Sequence, residues 1–113
     1  MLRNPDEVPV TQQQTTRRAI LHGSAAALAA GDPAAADSLA RHALVLLRRT
    51  GHDDARSGDV GTALTVLGRA RLARGDTASA RDALSRAIQP LTVGLGPDDS
   101  RTRAAQELLS GLP

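Results

Sequence analysis

The chain has 113 residues, the length of one small domain, with 41% apolar residues and a formal net charge of +2. It contains no Phe, Trp, Tyr or Cys, which excludes disulfides, thiolate catalysis and Cys-based metal sites, and which favours closely packed helices over a sandwich or barrel. The small net charge and the missing aromatic residues argue against nucleic acid as a partner, and no apolar run is long enough to span a membrane.

Residues 1–14 carry two prolines and a run of three glutamines without apolar periodicity, which predicts a flexible N-terminal arm. The pattern then becomes helical, so we expect one helical domain over residues 15–113. The apolar spacing and the turn signals predict five helices, over residues 15–30, 33–49, 55–74, 77–93 and 99–111.

Two stretches of this helical part resemble each other. The sequence AAGDPAAADSLARHAL, which starts at Ala29, aligns with ARGDTASARDALSRAI, which starts at Ala73, at an offset of 44 residues. The connectors GHDDAR and GPDDSR, which start at Gly51 and Gly96, repeat at an offset of 45 residues. A helix pair with its linker is therefore the predicted repeating unit.

The glycine–aspartate pairs in these stretches predict helix boundaries. Gly31 and Gly75 can adopt the left-handed conformation that ends a helix. Asp32 and Asp76 can then cap the following helix, and Pro33 suits a first helical position.

The paired carboxylates in the connectors are interpreted as helix caps and not as catalytic groups. Asp53 and Asp54, like Asp98 and Asp99, directly precede predicted helices, where negative charge is favourable. No nucleophile elbow or phosphate-binding loop is present, and the three histidines lie on separate elements. We therefore expect no catalytic activity, no metal and no cofactor.

The segment from Thr62 to Leu109 resembles the tetratricopeptide repeat of the kinesin-light-chain type. The features that carry this resemblance are Leu67 with Gly68, the Gly75–Asp76 turn, Ala80 and Ala87 with Leu84 between them, and the LGPD linker at 95–98. The upstream copy departs from the pattern, with Gly23, Ser24 and Ala40 in place of Leu, Gly and Leu.

The resemblance implies an α-solenoid of antiparallel helix pairs, with about two and a half repeats and a concave groove for a partner segment. Arg18, His22 and Arg69 would make this groove mildly basic, so the expected occupant is an acidic protein segment or the C-terminus of another protein. The groove-lining residues that the resemblance implies are Arg18, Leu21, His22, Ala25, Thr62, Thr65, Val66 and Arg69.

Two other interpretations stay open. The chain resembles parts of larger actinobacterial-type signalling or transcription regulators, which would make it a regulatory or sensor module. The segment from Thr16 to Ala36, with TRRAILH and an Ala-rich core, resembles a twin-arginine export signal. Otherwise the cytoplasm is the expected location.

The last helix is expected to cover the fourth through its leucines. Leu108, Leu109 and Leu112 supply this apolar face. Since no sixth helix follows, apolar surface would remain at this end. We therefore predict a homodimer or partner contact through the C-terminal helix.

Overall fold

The computed structural model describes residues 10–113, and within that range it contains five helices and no strand. Each helix packs against the next one along the sequence, and the first also packs against the third. The predicted all-α class is therefore confirmed. The helices are α1 (Val10–Ala29), α2 (Pro33–Arg49), α3 (Gly58–Ala73), α4 (Thr77–Leu95) and α5 (Ser100–Ser110).

Glycine–aspartate turns separate the helices of each pair, as the sequence predicts. Gly31 and Gly75 have φ angles of 80° and 83°, which place both in the left-handed region. The Asp32 carboxylate accepts a hydrogen bond from the backbone N–H of Ala35 at 3.1 Å, and Asp76 accepts one from Ser79 at 3.0 Å. In both helix pairs, the two helices are therefore joined by the same kind of capped turn.

The start of α3 differs from the prediction by three residues. Asp53 does not cap this helix but accepts a hydrogen bond from the N–H of Ala55 at 2.6 Å, in a turn that precedes it. Ser57 is the cap, because its hydroxyl accepts from the N–H of Val60 at 3.2 Å. The corresponding interpretation of Asp99 is confirmed, since it caps α5 through the N–H of Arg101 at 2.9 Å.

Two other boundaries also differ. Helix α1 begins at Val10, so residues 10–14 belong to the helix and not to the predicted arm, whereas residues 1–9 of that arm lie outside the described residues. Helix α4 continues to Leu95 through Pro90. Pro90 is fully buried, and the helix continues beyond it to Leu95 although a proline usually kinks or ends a helix.

Glycines let α3 and α4 approach closely. A Cβ atom at Gly61 would lie 2.6 Å from Cγ of Leu91, and one at Gly68 would lie 2.7 Å from Cγ of Leu84. Both distances are far below van der Waals contact. The glycines that weaken α3 as an isolated helix therefore serve its packing.

Small side chains dominate the core, as the missing aromatic residues require. The fully or almost fully buried apolar residues are Ala36, Ala40, Ala43, Leu47, Val60, Ala63, Leu64, Ala70, Ala80, Ala83, Leu84, Ala87, Leu91 and Ala105.

No helix within residues 10–113 combines the length and apolarity that crossing a membrane would demand.

The apolar surface that the C-terminal helix leaves exposed is smaller than the sequence suggests. Leu108, Leu109 and Leu112 are each half-buried, since α5 packs against α4 and Ala105 is fully buried. Among the residues whose side chains the structure describes, the exposed large apolar ones are Val45 and Val93, which belong to α2 and α4. Dimerisation through α5 stays a prediction.

Candidate functional site

A cleft of about 450 Å³ lies between α3 and α5, and we call it the α3/α5 cleft. Leu72, Leu108 and Leu112 give it an apolar surface, whereas Arg69 and Glu107 bring one charge of each sign. Arg69 is exposed, so its guanidinium is accessible to a partner. The residues that line the cleft are Arg69, Leu72, Ala104, Glu107, Leu108, Gly111 and Leu112.

The two threonines of the predicted groove use their hydroxyl protons within α3. Thr62 donates to the carbonyl oxygen of Gly58 at 2.9 Å, and Thr65 donates to that of Gly61 at 2.8 Å. Each hydroxyl can therefore accept a further hydrogen bond but has no second proton to donate. A partner at these positions would meet a methyl group and an acceptor oxygen.

Two apolar residues of the predicted groove belong to the core. Leu21 and Val66 are only 8% and 6% exposed. Their contribution to any partner contact is therefore small, and the role of these residues as groove residues stays a prediction. His22 and Ala25, by contrast, are exposed on α1.

The structure places the two predicted groove arginines in different cavities. Arg18 lines a small cavity of about 90 Å³ together with Arg17, His52 and Asp59, whereas Arg69 lines the α3/α5 cleft. Arg17 is 9% exposed and belongs to the buried part of α1. The two guanidinium groups therefore line different cavities, and one mildly basic groove shared by Arg18, His22 and Arg69 stays a prediction.

A buried carboxylate with three arginines is the feature that sequence reasoning missed. Asp37 on α2 is 5% exposed, and its Oδ1 accepts from Nε of Arg41 at 2.7 Å. Its Oδ2 lies 3.4 Å from Nε of Arg71 and 3.8 Å from Nη1 of Arg74. We call these four residues the Asp37 cluster, and it joins α2 to the end of α3.

The spacing of Asp37 and Arg41 on one helix face could have indicated their ion pair from the sequence. The approach of Arg71 and Arg74 from α3 could not have been found in this way. It depends on how α2 and α3 pack, and 34 residues separate Asp37 from Arg71.

A local ion pair between Asp99 and Arg101 lies at the start of α5. The side-chain hydrogen bond from Arg101, together with the Arg101 backbone N–H, lowers the pKa of Asp99 below its ordinary value. The same pair raises the pKa of Arg101. The buried Thr102 donates to the carbonyl oxygen of Gly96 at 2.8 Å, which joins the linker to the first turn of α5.

Within the described part of the protein, no group of three or more His, Asp or Glu side chains is arranged to hold a metal ion. Comparisons with protein-family models, with curated proteins and with solved structures give no match. Function must therefore be inferred from the geometry of the protein itself.

Proposed function

We propose that this protein is a helical repeat protein of the tetratricopeptide type, which binds a segment of another protein and does not catalyse a reaction. The α3/α5 cleft carries this proposal, because it combines an apolar surface with the exposed guanidinium of Arg69. The repeated glycine–aspartate turns and the packing of α1 on α3 support a solenoid of two helix pairs with α5 as a terminal helix.

The chemistry of the cleft suits an acidic segment that also carries an apolar residue. Arg presents a fork of N–H donors that matches a carboxylate, and a hydrogen bond to a charged group is worth about 1.5–3 kcal/mol. Leu72, Leu108 and Leu112 would cover an apolar neighbour of that carboxylate. Glu107 on the other wall would disfavour a segment with several adjacent acidic residues.

The packing of α1 supports the repeat interpretation over the export interpretation of residues 16–36. Arg17, from the twin-arginine-like pair, is buried, as are Ser24 and Ala36. These residues fill the interior between α1 and its neighbours, and their removal would expose apolar surface of α2 and α3. The same residues therefore have a structural role within the folded protein.

A peptide selection on the immobilised protein tests the proposal. We expect the protein to enrich peptides in which Asp or Glu stands close to Leu, Ile or Val. In fluorescence anisotropy, Arg69→Glu should weaken the binding of such a peptide at least about tenfold, because attraction becomes repulsion.

The matched control is Arg49→Glu, which makes the same charge change at an exposed position on α2. It should leave the affinity nearly unchanged, and circular dichroism should show that both variants remain helical. Equal affinity of the wild type and Arg69→Glu would place the partner elsewhere and would overturn the proposal.

A further inference from the structure

A second cavity of about 420 Å³ opens beside α2, the end of α3 and the start of α4. Its α3 residues are distinct from those of the α3/α5 cleft, since Arg71 follows Arg69 by two residues and therefore points about 200° away around the helix. Five polar residues line it, namely Asp37, Arg71, Arg74, Asp76 and Ser79.

The Asp37 cluster holds more positive than negative charge. Asp37 is already paired at 2.7 Å with Arg41, and this bond satisfies its Oδ1 atom. Arg71 and Arg74 share the remaining oxygen at 3.4 and 3.8 Å, which are longer and weaker contacts. Each of these two guanidinium groups therefore keeps several N–H donors for another acceptor.

Asp76 does not cancel this excess charge. Its Oδ1 atom accepts from the backbone N–H of Ser79 at 3.0 Å, and it caps the N-terminus of α4. The partial positive charge of that helix end offsets much of the carboxylate charge. With Arg41 counted beside Asp37, three arginines face two carboxylates, so the site keeps a formal charge of +1.

We propose that this cavity binds the phosphate group of a phosphate monoester. Arg71 and Arg74 would donate to two phosphate oxygens, and the Ser79 hydroxyl would donate to a third. A volume of about 420 Å³ leaves room for the group that carries the phosphate. This site is independent of the α3/α5 cleft, so either proposal can fail without the other.

An NMR titration with inorganic phosphate tests the site through the arginine Nε–Hε signals. At constant ionic strength, the signals of Arg71 and Arg74 should shift along one saturable curve, whereas that of Arg49, an exposed arginine on α2, should not. Chloride at the same ionic strength should produce no saturable shift. A uniform, non-saturating shift of all arginines would overturn the proposal, since it indicates screening alone.

Variants separate binding from a purely structural role of the cluster. Arg74→Gln should weaken phosphate binding about tenfold, because it removes a charged donor. Asp37→Asn should tighten binding, since it removes a negative charge beside the phosphate, and a purely structural cluster would not behave in this way. Arg49→Gln is the matched control and should change nothing.

Arg74 is about half-exposed, so its replacement by Gln is compatible with folding even if Asp37→Asn unfolds the protein. Unchanged affinity in Arg74→Gln would overturn the proposal on its own. Tighter binding of N-acetyl-phosphoserine amide than of glycerol 3-phosphate would assign the phosphate to a modified protein. The reverse order would assign it to a small molecule, and binding of neither would overturn the proposal.

Discussion

Gly94 lies where α4 passes the start of α3, and its replacement by alanine should destabilise the fold. A Cβ atom at this position would lie 2.7 Å from the carbonyl oxygen of Arg56 and 2.8 Å from Cα of Gly58. These are backbone atoms, which have no rotamer by which to turn away. The start of α3 would therefore have to move by several tenths of an ångström.

The size of the effect follows from two opposing terms. Overpacking of a close contact costs about 1–3 kcal/mol, and the rigid backbone at this site places Gly94→Ala near the upper limit. Alanine is favoured over glycine within a helix by about 1 kcal/mol, but less near a helix end such as this. The expected net loss is about 2 kcal/mol, which lowers Tm by roughly 8 °C in a domain of this size.

Gly23→Ala is the matched control, because it makes the same change within α1 where space is available. A Cβ atom at Gly23 would lie 3.8 Å from Cδ1 of Leu39, an ordinary contact. The helix propensity of alanine should then raise stability by about 0.5–1 kcal/mol. Thermal unfolding followed by circular dichroism compares the two variants, and a Gly94→Ala protein as stable as Gly23→Ala would refute the close approach of α3 and α4.

Three further perturbations test separate parts of the structure. Gly68→Ser should cost about 1–3 kcal/mol, and the double variant with Leu84→Ala should lose less stability than the two single variants together, since the serine then occupies part of the space that Leu84 leaves. Asp37→Ala should lower the free energy of unfolding in urea by about 1–3 kcal/mol. Arg41→Ala should lower it by less, below about 1 kcal/mol, because the Arg41 side chain is 60% exposed. The lowered pKa of Asp99 means that its contribution to stability is present above the ordinary Asp pKa and is lost as pH falls through the lower folded value. Asp99→Asn should therefore reduce the acid dependence of Tm below about pH 4.

Each of these predictions has an outcome that would contradict it. Additive costs for Gly68→Ser and Leu84→Ala would mean that the two positions do not share one space. Equal losses for Asp37→Ala and Arg41→Ala would mean that Arg71 and Arg74 add nothing to the cluster. If Tm depends on acid pH in the same way in Asp99→Asn as in the wild type, the Asp99 carboxylate titrates alike in the folded and the unfolded protein.

The turns between paired helices could be predicted from the sequence because local chemistry determines them. Gly31 with Asp32 and Gly75 with Asp76 carry both the left-handed residue and the capping carboxylate, so α2 starts at the predicted residue and so does α4. Where two capping groups compete, local reasoning fails. Asp53 lies closer to the predicted start of α3, but Ser57 caps the helix.

Features that depend on packing could not be read from the sequence. Gly58 and Gly61 indicate a weak start of α3 on propensity alone, whereas the structure uses them for close contact with α4. Ser24 and Ala40 are fully buried in the first helix pair, although the sequence shows them only as departures from the family pattern. Arg69 is a predicted groove residue, but its cleft with Leu108 and Leu112 depends on where α5 lies.

The most direct test of the proposed function is a map of where an acidic peptide binds. In a methyl NMR titration with a selected peptide, the signals of Leu72, Leu108 and Leu112 should shift with the same dissociation constant as the Arg69 Nε–Hε signal. The methyl signals of the exposed Val45 and Val93 should stay in place. Shifts confined to these two valines, with the leucine signals unchanged, would contradict binding in the α3/α5 cleft.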